Sequence, residues 1–187
     1  MAKQLVTAEQ VKNLGRPIGK MVAANKLNAF IMEAERLHIK PILGDELYLS
    51  LLDAISSDTG EIKEDSDERL KILLDGGIYD GADYECKYDS GKHLLDGVRV
   101  ALSYYVYAED VMSGDFESTR FGTVVSNNNY STRISRNYRS DLYNNSIDKA
   151  NAFLNDCVTF CKISGLIKEQ GSSRVNMGGC TIRKIGK

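Results

Sequence analysis

The strongest constraint on this chain is one broad apolar surface. Between Lys92 and Met112, Leu94, Leu95, Val98, Ala101, Leu102, Tyr105, Val106, Ala108, Val111 and Met112 recur at helical spacing. They cover an arc too wide to lie against a single neighbour, so this helix is expected to be buried from two sides. A body of several packed helices follows. The stretch contains Arg99, Ser103 and several tyrosines, and its apolar part is far shorter than the roughly 20 residues a membrane span needs. At 187 residues and 42 % apolar, the chain can bury one core.

Other helices are readable around it. Thr7-Ala8-Glu9-Gln10 has the form of a capping box and starts a short helix running to about Asn13, before Gly15, Pro17 and Gly19. Leu27, Phe30, Ile31, Ala34, Leu37 and Ile39 draw a stripe from Asn25, and Pro41 predicts an end near Lys40. Asp45 is the expected N-cap of a helix carrying Leu47, Leu49, Leu51, Leu52 and Ile55. Ser57 to Asp67 reads as an acidic loop. Ser66 or Asp67 then caps a helix with Leu70, Leu73 and Leu74, stopped by Gly76-Gly77. Gly77 to Gly91 reads as a structured loop or small hairpin. The last helix spans about Asn137 to Ser164, with Leu142, Ile147, Ala150, Phe153, Leu154, Cys157, Phe160 and Cys161 inward and Gly165 at its C-cap.

Phe116 to Ser135 differs in composition. Its Thr, Val and Tyr favour extended chain and its three consecutive asparagines favour a turn, so a hairpin or extended loop is expected. Phe116, Phe121, Val124, Val125, Tyr130 and Ile134 are its candidate subunit-interface residues. From Leu166 onward no helical stripe exists. Residues 166–187 read as a flexible basic arm after a helical domain of residues 1–165, with Arg174, Arg183, Lys184 and Lys187 as candidate docking residues. Thr181 to Ile185 alternates weakly and suits strand addition to a partner. The fold class is mainly α: about five to six helices with a protruding β-hairpin or extended loop and an extended C-terminal arm.

Composition narrows the function. A net charge of -2 gives no global basic field for nucleic acid. Met1-Ala2-Lys3-Gln4 leads into no apolar signal core, so a cytoplasmic place of synthesis and assembly is expected. Cys86, Cys157, Cys161 and Cys180 contain no CxxC pair and read as free thiols. Cys157 and Cys161 sit four apart on one helical face, where buried apolar thiols are a simpler reading than metal ligands. Glu61, Glu64, Asp65, Asp67 and Glu68 suit a solvated loop and helix start more than a cation site. Asp80, Asp83, Glu85 and Asp89 fail the calcium-loop spacing, because its third position is Ala82 and its sixth Glu85. His38 has no dyad partner nearby in sequence and reads as a packing or solvent-facing residue. No nucleophile elbow, phosphate loop or dinucleotide fingerprint occurs. No catalytic, cofactor or metal residue is therefore assigned. The tyrosines, numerous in a chain without Trp, are candidates for interfaces or for the helix core.

Three landmarks carry a resemblance. Residues 24–52 read ANKLNAFIMEAERLHIKPILGDELYLSLL; Leu73-Leu74-Asp75-Gly76-Gly77-Ile78-Tyr79 follows, ahead of residues 97–105; and Ser118-Thr119-Arg120-Phe121-Gly122-Thr123-Val124 precedes Tyr130-Ser131. In order and spacing, residues 4–165 resemble tailed-phage head–tail connector (adaptor, or head-completion) proteins. The resemblance implies a compact helical bundle with a protruding hairpin. Such subunits form a ring, usually twelve-fold, that docks under the portal protein, meets other tail or connector proteins and widens the DNA channel. DNA passes through the lumen without sequence-specific binding. It further implies a virion protein with no enzymatic role, assembled in the host cytoplasm, and by analogy a portal-docking arm at the C-terminus. Two other readings start from the residues: a metal-dependent nuclease-like domain using the acidic clusters, and a nucleic-acid-binding domain using the basic tail, whose affinity would fall steeply with salt.

Overall fold

A computed structural model describes residues 3–19, 22–56, 60–84, 91–113, 116–119, 122–125 and 136–167. The chain is mainly helical with antiparallel hairpins. Helix α1 is Ala8–Asn13 and α2 is Ala24–Ala34, continued by a π-helical turn, Glu35–Ile39, into α3, Lys40–Leu43. Helices α4, Asp45–Ala54, and α5, Glu68–Asp75, lead to strand β1, Gly77–Asp80, and a 3-10 turn, Gly81–Tyr84. Strand β2, Lys92–Leu95, precedes α6, Val98–Ser113; strands β3, Phe116–Thr119, and β4, Gly122–Val125, precede α7, Arg136–Ile163.

Helix α6 is the axis of the core. It lies along α7 and also packs against α1, α2 and α5. Its Val98, Ala101, Leu102, Tyr105, Val106 and Ala108 are all buried. From α7, Ala150, Leu154, Cys157, Phe160 and Cys161 meet them. The Thr7–Gln10 capping box is present in both directions, and Asp67 caps α5 through its side chain. Strands β1 and β2 form one antiparallel pair, and β3 and β4 another. Gly165 takes φ 69° just after α7. Cys157 and Cys161 are buried free thiols, and burial pushes the Cys161 thiol up to about 12.

Five expectations are corrected. The second helix does not stop before Pro41. The Lys40 amide donates to the Glu35 carbonyl, a π-type bond, and Pro41 then sits in the first turn of α3, where a missing amide costs little. That extra residue also shifts the phase of the buried stripe. It now reads Leu27, Ile31, Ala34, Glu35, Ile39 and Leu43, while Leu37 is turned out, 62 % exposed. Asp45 is not a cap but the first residue of α4; Gly44, at φ 83°, holds the cap position without a side-chain bond. In α4, Leu49 is exposed because the inward stripe is Leu47, Tyr48, Leu51 and Ala54. Finally, Lys92 to Leu95 is strand, not the start of the long helix, because it pairs with β1 and Gly97 breaks the chain before Val98.

Gly76 and Gly97 make that arrangement possible. Their φ values are 84° and 86°, and the backbones at the two glycines pass directly against each other. A Cβ on Gly97 would lie 2.5 Å from both the Gly76 nitrogen and the Leu74 oxygen. Gly97→Ala is therefore expected to lower stability in urea unfolding by about 3 kcal/mol or more, combining clash and backbone strain. Gly165→Ala, with φ 69° but open space around it, should cost only about 1 kcal/mol.

Candidate functional site

Two features stand out: a charged clamp inside the body and an apolar pair outside it. Inside, Glu35 is 2 % exposed, at the first position of the π turn. Its Oε1 accepts from the Leu5 amide at 2.6 Å and its Oε2 from the Tyr48 hydroxyl at 2.9 Å. On the other side of the same residue, Arg99 Nε donates to the Leu5 carbonyl at 2.9 Å. The remaining guanidinium nitrogens donate to Asp75 Oδ1 at 2.6 Å and to the Gly60 carbonyl at 2.7 Å. Residue 5 is thus gripped at both backbone groups by oppositely charged side chains from distant parts of the chain.

Burial pushes the Glu35 carboxyl up to about 7, against the opposing pull of the Leu5 and Val6 amides, Tyr48 and Arg36. The Tyr48 hydroxyl is pushed well above its ordinary range by burial and then by the Glu35 charge, so it stays a donor. Each carboxylate oxygen has its own partner, the Leu5 amide or the Tyr48 hydroxyl, so the arrangement clamps the N-terminal segment. His38 behaves as a packing residue. Its ring lies flat on Tyr105, centroids 4.2 Å apart, and burial lowers its pKa while Glu33 opposes. The Tyr105 hydroxyl donates to Asn151 at 2.6 Å.

Outside, β1 and β2 form a two-faced ribbon. Tyr79 and His93 pair across the strands on the inner face, and Tyr79 meets Phe160 of α7 edge-on at 4.8 Å. Tyr84 makes a second edge contact to Phe160 at 5.9 Å. The next register pair, Ile78 opposite Leu94, faces away, and these residues are 68 % and 73 % exposed. Two large aliphatic side chains thus face water side by side on a ribbon backed by core aromatics. Leu37, Ile42 and Leu49 are further exposed aliphatics, on the π turn, α3 and α4.

Two of the acidic residues serve local structure. Asp67 caps α5 and pairs with Arg69 at 2.6 Å, and that guanidinium holds its carboxyl below the usual range. The Asp80 carboxylate accepts from the Ala82 amide at 3.0 Å. Among the described residues no group of three or more His, Cys, Asp or Glu side chains is placed to hold a metal ion. No helix among them is long and apolar enough to cross a membrane. An open depression of about 320 Å³ is lined by residues that include Asp53, Lys63 and Asp65.

Of the sequence-predicted interface residues, Phe116 lies in β3 and Val124 and Val125 in β4. The register sets Phe116 opposite Val125 and Glu117 opposite Val124. Phe121, Tyr130 and Ile134 lie outside the described residues, as do Arg174, Arg183, Lys184 and Lys187 of the arm. Sequence reasoning missed Glu35, Arg99 and the Ile78–Leu94 pair. A signal existed for Arg99, a lone cation inside the apolar run Val98 to Val106.

Residues 39–162 match the model of a family of unknown function, DUF6712. The chain belongs to this family. The matched span includes Arg99, both hairpins and most of α7. No curated protein and no solved structure matches the chain.

Two outcomes follow from the clamp. Arg99→Met keeps the apolar stem but strands the Leu5 and Gly60 carbonyls, and should cost about 3 kcal/mol in urea unfolding. Glu35 binds its proton more tightly when folded, near 7, than at its ordinary 4.5. Its contribution is therefore fully present below about 4.5 and lost as pH rises through about 7. Stability should fall by on the order of 2–3 kcal/mol between about pH 5 and about pH 8, and Glu35→Gln should flatten that slope.

Proposed function

We propose that this chain is a non-enzymatic structural subunit of a tailed-phage head–tail connector, an adaptor ring joining the portal protein to the tail. The observation that carries the reading is the Ile78–Leu94 pair, held outward on a ribbon locked to α7 through Tyr79 and Phe160. A ring is built from head-to-tail contacts in which two different surfaces of one subunit meet, and rotation closes the circle. The ribbon supplies one apolar surface. The exposed Leu37, Ile42 and Leu49, on separate elements, supply material for another. The resemblance of residues 4–165 to connector proteins gives the assembly its identity, with the β3–β4 hairpin as an additional reach toward a neighbour.

In this reading the ring is twelve-fold and belongs to the virion. The basic arm, with Arg174, Arg183, Lys184 and Lys187, docks on the portal protein, and other tail or connector proteins meet the opposite face. DNA passes through the lumen without sequence-specific binding, consistent with a net charge of -2.

Negative-stain microscopy of the chain mixed with the portal protein of the same genome tests this. An added ring of density on the portal is expected, with its symmetry visible in class averages. Bare portals beside free subunits at micromolar protein would remove the reading. The double variant Ile78→Ser, Leu94→Ser should leave stability within about 0.5 kcal/mol of the parent, because both side chains already face water, while abolishing the ring.

A further inference from the structure

Leu5 and Val6 precede the first helix and belong to no regular element, yet they are 0 % and 1 % exposed. Every polar bond the Leu5 backbone makes in the clamp is to a side chain far along the chain, 30 and 94 residues away. The two gripping groups are held without it. Glu35 retains the Tyr48 hydroxyl, and Arg99 retains Asp75 and the Gly60 carbonyl. We infer that the seat of Leu5 and Val6 is a preformed slot that reads peptide backbone, and that its second occupant is the same N-terminal segment of another copy of this chain.

The chemistry of the slot selects that occupant. Glu35 accepts the Leu5 amide and Arg99 donates to the carbonyl of the same residue, so the slot takes an extended peptide by its main chain. Its apolar walls then require two buried aliphatic side chains in the order found here, Leu then Val. Vacating the slot leaves a carboxylate and a guanidinium facing an apolar void, which is costly, so the segment is exchanged and not merely lost. The identical segment of a second copy restores every bond.

The segment also moves as a unit. The Thr7–Gln10 capping box is local and travels with it, and Val11 of α1 enters the same core. The connection that follows, residues 14–19, contains Gly15, Pro17 and Gly19, and six extended residues span about 20 Å. In the closed chain this connection is held by Ile18, which is buried in the core, by Leu14 packed against that core, and by Arg16, which donates to Asn145 at 2.5 Å and lies over Tyr107 at 5.6 Å. The Arg16–Asn145 bond is exposed, so water replaces it at little cost when the connection opens. The inference needs no portal and does not depend on the connector reading.

Full-length chain carrying photo-leucine, a diazirine isostere of leucine, tests it. Light and nitrogen-15 chains are mixed in equal amounts in urea, refolded together at micromolar to millimolar concentration, irradiated and mapped by mass spectrometry. Cross-links from Leu5 to peptides containing Glu35, Tyr48 or Arg99 are the readout. Mixed-isotope links rising with concentration, toward about half of all such links for full random exchange, are expected. Links confined to single-isotope pairs at every concentration would overturn the inference.

Discussion

One residue, Leu5, ties this molecule together. The Leu5 amide is bound by a buried carboxylate and the Leu5 carbonyl by a buried guanidinium, and each charge is anchored by further partners. Buried charges are tolerable only when their hydrogen bonds are filled, and here they are filled by pieces that would otherwise be separate. The N-terminal segment, the π turn, α4, the end of α5, the loop at Gly60 and α6 all converge on it. Losing any one strands a charge or a buried backbone group.

Glu35 continues the stripe of α2, four residues after Ile31, and the π turn starts from it. The extra residue rotates Ile39 inward and Leu37 outward, and lets Pro41 sit at the start of a new turn. The insertion therefore re-aims the chain just after the clamp and leaves an exposed aliphatic on the outer surface. Gly76 and Gly97 play a comparable role at the other end of the clamp. Their close approach sets the β1–β2 ribbon beside the start of α6, one residue pair from Arg99.

Much of the fold was legible because it rests on period and punctuation. The arc from Val98 to Ala108, the capping box at Thr7, the Asp67 cap, the extended chain after Phe116 and the long last helix all follow from local rules. What escaped depends on distant partners. A π turn has no signature in the residues 35–39 themselves, so a constant helical period carried through it misplaces Leu37. Lys92 to Leu95 carries a helix-compatible spacing and becomes strand only because β1 lies beside it. The clamp was harder still, since Leu5, Glu35 and Arg99 meet only after folding; an isolated charge in the apolar run was its one local mark. The β3–β4 hairpin over Phe116 to Val125 was legible from its extended-chain composition. The described outward pair, Ile78 and Leu94, came from the other hairpin.

The account makes the clamp one unit acting through Leu5, although Glu35 and Arg99 bind opposite ends of the same residue. A double-mutant cycle with Glu35→Gln and Arg99→Met, followed by urea unfolding at neutral pH, tests this most directly. The account predicts that the double variant loses less than the sum of the single losses, by about 1 kcal/mol or more, because either change already frees the N-terminal segment. Losses that add to within about 0.5 kcal/mol would contradict it, and would mean that the two charges act on independent parts of the fold.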